Sequence, residues 1–268
     1  MDINIVRKFE GRASHNQWPF VRFIPLAAGL LGLLGWQMLS NLSGLPDFIL
    51  PQPGQVGSRF LRAAADGSLL RHTSVTLSEV LLGLLAGMIF ATLLGYLVAK
   101  SRLFDRVVSP FLVASQAVPI VAIAPLLVIW FGPGIFSKVL ICGLIVFFPV
   151  LVNTVVGLRA VPRSLYELMD SLHASRWQVL RQLEIPASLP VFLGGLRIGA
   201  TLSVIGGVVG ELIGANSGLG FLINVARGQY DTALVFVAVL TLVALALSLY
   251  GIVVLLEKRF LAWQETNS

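Results

Sequence analysis

The 268-residue chain is 56% hydrophobic and 12% charged, with a mean hydropathy of +0.88 and a formal net charge of +6. About a quarter of a soluble domain is charged, so this composition excludes an ordinary soluble fold. The basic balance without interleaved stacking aromatics points away from nucleic acid and toward the cytoplasmic excess of Lys and Arg in membrane proteins.

Residues 1–22, "MDINIVRKFEGRASHNQWPFVR", are polar and mixed in charge. A cleaved leader has a basic start followed directly by an apolar core, so this segment reads as a cytoplasmic tail. Six apolar runs follow: Phe23 to Leu39, Val75 to Ala99, Pro110 to Phe131, Val139 to Val156, Ala187 to Ala215 and Ala233 to Leu256. They approach or exceed the ~20 residues that cross a bilayer as a helix. They do not alternate every second residue, as barrel strands would. The expected fold is an all-α integral membrane protein with six transmembrane helices in residues 23–257, and with 258–268 as a C-terminal tail.

Lys and Arg orient the runs. With both termini cytoplasmic, Arg59, Arg62, Arg71, Lys138 and Arg227 fall outside. Thirteen of the 19 fall inside, and Arg197 lies in the fifth run, where it snorkels toward the inner surface. The outer segment between the first two runs contains three prolines, which impose an extended entry. Gln55 to Ala65 reads as a short surface helix. Cys142 lies alone in an apolar run, which rules out an intrachain disulfide and a cysteine metal cluster.

The third run, "PFLVASQAVPIVAIAPLLVIWFGPG", has Pro119 and Pro125 in mid-membrane, with Ser115 and Gln116 beside them. Kinks there free carbonyls, tolerated where they are buried or line a cavity. A pathway helix and a kinked packing helix both fit. Glu211, near the outer end of the fifth run, either lines a solute path or caps a helix. Glu79 reads as structural or interfacial. The glycines of the fifth run suit close helix packing.

No lysine sits in a phosphate-cradling Gly-x-x-x-x-Gly-Lys-Ser/Thr loop; Lys100 precedes a Ser but follows Ala99. The chain is therefore not expected to hydrolyse ATP. His15, His72 and His173 fall in three separate segments without zinc-ligand spacing.

Between the fourth and fifth runs lies "YELMDSLHASRWQVLRQLEIPASLP", Tyr166 to Pro190. Leu168, Leu172, Val179 and Leu183 recur mostly at helical spacing. Pro186 and Pro190 are expected to break the pattern before the fifth run. This is a cytoplasmic helix–turn–helix, and periodicity leaves open whether it is a docking element or an ordinary interfacial segment.

The stretch resembles the "EAA" loop of type I binding-protein-dependent ABC importer permeases. That pattern is Glu-Ala-Ala, a Gly four residues later, then Ile-x-Leu-Pro. Here Glu167 and Leu183-Glu184-Ile185-Pro186 stand at matching places, with Leu168 and Met169 for the two Ala and His173 for the Gly. "ASRWQ" (Ala174 to Gln178) and "PASLP" (Pro186 to Pro190) are also similar. "LPQPGQV", "VPIVAIAPLLVIWFGPG", "GLRIG" and "ELIGANSGLGFLI" extend the likeness over most of the chain, toward the nitrate, taurine and alkanesulfonate permease branch. Relatives in that branch carry thiamine-precursor pyrimidines and riboflavin.

The resemblance implies a homodimer in the bacterial inner membrane, with two ATPase subunits binding ATP-Mg and a soluble or lipid-anchored binding protein. It implies a coupling loop at residues 159–186 that uses Glu167, Ser171, His173, Ala174, Ser175, Arg176, Ile185 and Pro186; the polar and proline positions Ser115, Gln116, Pro119 and Glu211 are the candidates for the substrate path. A Gly-to-His change disfavours positive φ, so an altered turn is expected at His173. An ion-coupled secondary transporter is the rival class; it needs a titratable site at mid-membrane, for which Glu211 is the candidate.

Overall fold

The computed structural model describes residues 24–262. The tail at 1–22, with His15, the start of the first run at Phe23, and 263–268 lie outside the described residues. The described regular structure is helical throughout. The chain divides into residues 1–54 and 55–268. In the first unit, α1 (Ile24–Leu42) covers the described part of the first apolar run. Its Trp36 Nε1 donates to the Pro51 carbonyl at 3.0 Å.

The second unit starts within α2 (Pro53–Ala65), the expected surface helix. Pro53 opens it, which costs no backbone bond at a first-turn position. Then come α3 (Ser68–Lys100), α4 (Arg102–Gln116), α5 (Ile120–Phe131), α6 (Ile135–Arg159), α7 (Arg163–Ser171), α8 (Arg176–Gln178), α9 (Ile185–Gly214), α10 (Leu219–Gly228) and α11 (Thr232–Phe260). Among the described residues, four continuous helical stretches are long and apolar enough to span a bilayer: α3, α6, Arg176–Gly214 and α11.

The third apolar run is not a single rod. It is α4 and α5, bent by 97° at residues 117–119. Pro119 lacks an N–H, and its extended conformation (φ −69°, ψ 111°) starts α5 afresh. Pro125, Pro110, Pro149 and Pro190 lie inside helices instead.

The prolines after the loop do not end its second helix. A π-helical turn, Val179–Glu184, joins α8 to α9, making one 39-residue stretch. The wider turn shifts the hydrogen-bond register just before Pro186, which has no donor to give. This corrects the expected break before the fifth span.

The core forms where α6 lies between α3 and α9. Backbone approach here depends on small residues. A side chain at Gly83 would overlap Cys142; one at Gly87 would press on Gly143. Gly195 faces Asn153, and Gly206 faces Cys142. Gly83, Gly87, Ala91 and Gly95 recur every fourth residue, so they form one stripe on α3. Cys142 is fully buried, its Sγ 3.4 Å from the Ser203 carbonyl.

The Arg197 side chain stays 32% exposed. It pairs with Glu257 on α11 and lies 5.5 Å from the Tyr250 ring.

Candidate functional site

Among the described residues, three places hold the candidate site residues. The first is the loop between α6 and α9. Helix α7 ends in a tight reversal: the His173 N–H donates to the Asp170 carbonyl at 2.9 Å, and the Ala174 N–H to Met169 at 3.0 Å. This is the paired closing pattern of a Schellman turn, which needs a left-handed residue at its second bond. His173 fills that place with φ 52°. The turn keeps the shape a glycine would give it, against the altered turn expected from sequence.

The next helix starts at once. Ser175 Oγ accepts the Gln178 N–H at 3.3 Å, and Gln178 Oε1 accepts the Ser175 N–H at 2.7 Å, a capping box. Ser171 Oγ donates to the Leu168 carbonyl. Glu167 is exposed, 4.0 Å from the exposed Arg163. At that separation in water the pair contributes little. Leu168, Leu172 and Trp177 are also exposed, giving the loop an apolar ridge beside its charges. Ile185 is exposed and Pro186 half-buried.

The loop also borders a cavity of about 690 Å³ lined by the charged side chains of Lys100, Glu167, Asp170, Arg176 and Glu184, with Tyr166 among others. The phenol of Tyr166 has its pKa pushed up, first by burial and then by the negative charge of Glu184, so it stays neutral.

The second place is the α4–α5 break. Ser115, Gln116 and Pro119 come together there, all exposed in the single chain. Ser115 Oγ donates to the Leu112 carbonyl at 2.9 Å. Gln116 lines a smaller cleft of about 160 Å³ with Ser109, Asp105 and Arg159. Asp105 and Arg159 pair at 2.9 Å.

The third place is at the other end of the bundle. Glu211 does not join the break residues; it is fully buried. Three successive backbone N–H groups at the start of α10 each meet a side chain. Gly218 donates to His72 Nδ1 at 3.0 Å, Leu219 to Thr76 Oγ1 at 2.8 Å, and Gly220 to Glu211 Oε2 at 2.5 Å. Thr76 Oγ1 in turn donates to Glu211 Oε1 at 2.6 Å. A carboxylate at a helix N-terminus satisfies free donors and suits the helix dipole. The arrangement also requires Gly218: it has φ 109°, and any Cβ would collide with the Glu211 carboxylate.

Next to it, Glu79 and Lys138 pair at 3.3 Å, both buried. Lys138 is therefore within the bundle rather than in an outer loop. Sequence reasoning missed Thr76, His72 and Lys138. Their one available signal was polarity within or beside apolar runs.

The comparisons follow this geometry. The signature of the family "Binding-protein-dependent transport system inner membrane component" matches residues 83–262. The riboflavin transport system permease protein RibX of Chloroflexus aurantiacus is 47% identical, covering 92% of each chain. The formylaminopyrimidine transport permease protein ThiX of Halalkalibacterium halodurans is 36% identical over 88% of this chain and 94% of its own. The taurine transport system permease protein TauC of Escherichia coli is 33% identical over 93% and 94%. Among solved structures, an inward-facing form of the MetNI methionine ABC transporter matches with a TM-score of 0.64 at 17% identity, covering 74% of this chain and 98% of that one. That likeness speaks to fold. With a family signature over two thirds of its length and relatives matched nearly end to end, this multi-pass chain belongs to the inner-membrane permease components of binding-protein-dependent ABC importers.

Proposed function

We propose that two copies of this chain, with two ATPase subunits and a binding protein, import an aromatic nitrogen heterocycle of the flavin or aminopyrimidine kind. The observation that carries the substrate class is the order of likeness: the riboflavin and formylaminopyrimidine permeases match at 47% and 36%, the taurine permease at 33%. A sulfonate is the second reading, supported by TauC at nearly full coverage. None of these relatives is named for nitrate.

In this reading the chain has six spans in residues 23–257 and both termini in the cytoplasm. The loop at 159–186 seats in the ATPase. Glu167 and Arg176 offer charge there, and Leu168, Leu172 and Trp177 offer apolar contact. Ser171, His173, Ala174 and Ser175 shape the turn, and Ile185 and Pro186 lead into α9. ATP-Mg is bound by the partner subunits, and closing them stabilises one of two states of the spans; a ligand with no preference would shift nothing. A pair of copies meeting about a two-fold axis places the α4–α5 breaks, with Ser115, Gln116 and Pro119, along the shared path. Glu211 serves the fold as a cap rather than the path.

The test is uptake by proteoliposomes holding the permease, its ATPase subunits and the binding protein. Riboflavin, formylaminopyrimidine and taurine are offered in competition. ATP-dependent accumulation of either heterocycle supports the reading, and accumulation of taurine alone moves it to the sulfonate class. Uptake driven by a proton gradient without ATP overturns the importer mechanism.

A further inference from the structure

Lys100 is the last residue of α3, and its ammonium is a meeting point for three elements. Nζ pairs with Glu184 at the end of the π turn. It lies 4.9 Å from the centre of the Tyr166 ring on α7 and 3.5 Å from that residue's hydroxyl. Both helices of the loop are thus held to the end of one span. The Glu184 carboxylate is 2% exposed, and its Oε2 is buried without a hydrogen-bond partner among the described residues. A buried carboxylate needs its countercharge, so Lys100 fixes where Glu184 sits. The backbone around it is also fastened: the Glu184 carbonyl accepts from Ser188 Oγ at 2.6 Å. Two residues back on α3, the Val98 carbonyl accepts from Arg159 Nη2 at 3.2 Å, tying in the end of α6.

The loop is already continuous with α9 through the π turn. Its covalent path to α3 runs the long way, back through α6, α5 and α4. At its far end α3 supplies His72 and Thr76, which hold the start of α10, and Glu79, which holds Lys138 of α6. Displacement of the loop reaches α9 directly; it reaches α3 through the packing of α6 and, at the loop itself, through Lys100 and Tyr166.

We propose that the Lys100–Glu184 pair, backed by Tyr166, is a strut that makes α3 move with the coupling loop, so that both Lys100 and Glu184 are positioning residues for ATP-driven transport. Glu184 occupies the unspecified place in the Ile-x-Leu-Pro pattern, so the loop motif does not demand an acid there. This inference rests on the importer reading above.

The experiment reads coupling without needing the substrate. Gln116 is replaced by Cys in a Cys142→Ala background, and the chain is purified with its ATPase subunits and binding protein. The N-ethylmaleimide labelling rate at 116 is measured without nucleotide and after trapping with ATP and vanadate. The unmodified strut is expected to give a change of threefold or more. Lys100→Met is expected to retain ATPase association and basal hydrolysis within twofold, while in it and in Glu184→Gln the nucleotide-dependent change in labelling vanishes. The exchanged pair Lys100→Glu with Glu184→Lys is expected to recover at least half of it. Should a single variant fail to accumulate, Lys100→Met with Glu184→Met removes both charges and takes its place.

A nucleotide response within twofold of the parent in Glu184→Gln or in the double Met variant overturns the proposal. So does an exchanged pair that assembles and hydrolyses ATP but shows no recovery. A parent complex that binds no ATPase, or whose labelling ignores nucleotide, defeats the importer reading and the strut together.

Discussion

Thr76 and Glu211, 135 positions apart, share a hydrogen bond of 2.6 Å, and between them they take two consecutive N–H groups of α10. Each side chain does two jobs. Thr76→Val removes the hydroxyl and strands the Leu219 N–H and a carboxylate oxygen in a dry site. A buried group left unpaired costs about 1–3 kcal/mol. The expected outcome is a clear fall in the melting temperature of the detergent-solubilised protein. Glu211→Ala is expected to fall further, with transport lost in proportion to folded protein. A Glu211→Ala protein of unchanged stability and altered substrate affinity would instead make Glu211 a path residue.

His173 has a side chain where the turn favours none. A left-handed residue with a Cβ costs roughly 1–2 kcal/mol. Replacing it by Gly relieves that strain but adds about 0.5–1 kcal/mol of backbone entropy to the unfolded chain. His173→Gly is therefore expected to stabilise slightly, by up to about 1 kcal/mol, and His173→Val to destabilise. Thermal unfolding of the two variants side by side gives the sign; a destabilised Gly variant would mean that the imidazole makes a contact worth more than the strain.

The capping box at Ser175 predicts a local effect. Ser175→Ala is expected to cost about 1 kcal/mol of helix stability, and Ser175→Asp to cost little. Hydrogen exchange at the Gln178 and Val179 amides is the measurement. Faster exchange confined to the Ala variant fits; equal exchange in both would show that the π turn and α9 hold this end without a cap.

Glycine contacts separate packing positions from free ones. Gly206→Leu drives a side chain into Cys142, and Gly87→Leu into Gly143. Both are expected to abolish accumulation of folded protein. Gly194 and Gly251 have no atom within 4 Å of an added Cβ, so alanine there is expected to be neutral or mildly stabilising. Size-exclusion profiles of the four variants decide it, and a monodisperse Gly206→Leu protein would refute the packing described here.

Much of this architecture was legible from residue order. Long apolar runs gave helices, because lipid offers backbone groups no partner. Pro119 marked the α4–α5 break, although 97° exceeds what a proline kink alone suggests. Pro186 misled, since a π turn absorbs a missing donor without ending a helix, and no local residue type announces one. The α10 cap was hidden for another reason. Thr76 and Glu211 are polar positions in separate apolar runs, and only the packing of α3 against α9 and α10 brings them together. The pairing of Arg197 with Glu257 was hidden because the two lie 60 positions apart. Contacts of that separation leave no periodic trace.

The unbroken helix from Arg176 to Gly214 has a thermodynamic consequence. Its 39 residues span roughly 58 Å at 1.5 Å per residue, with the loop at one end and Glu211 near the other. In the importer reading, any event that favours one position of this rod from the outside must favour it for the ATPase as well. Coupling free energy is reciprocal. The factor by which a docked binding protein raises nucleotide affinity is then the factor by which nucleotide raises affinity for the binding protein. In that reading, one continuous helix makes the outer and inner surfaces two readings of a single equilibrium.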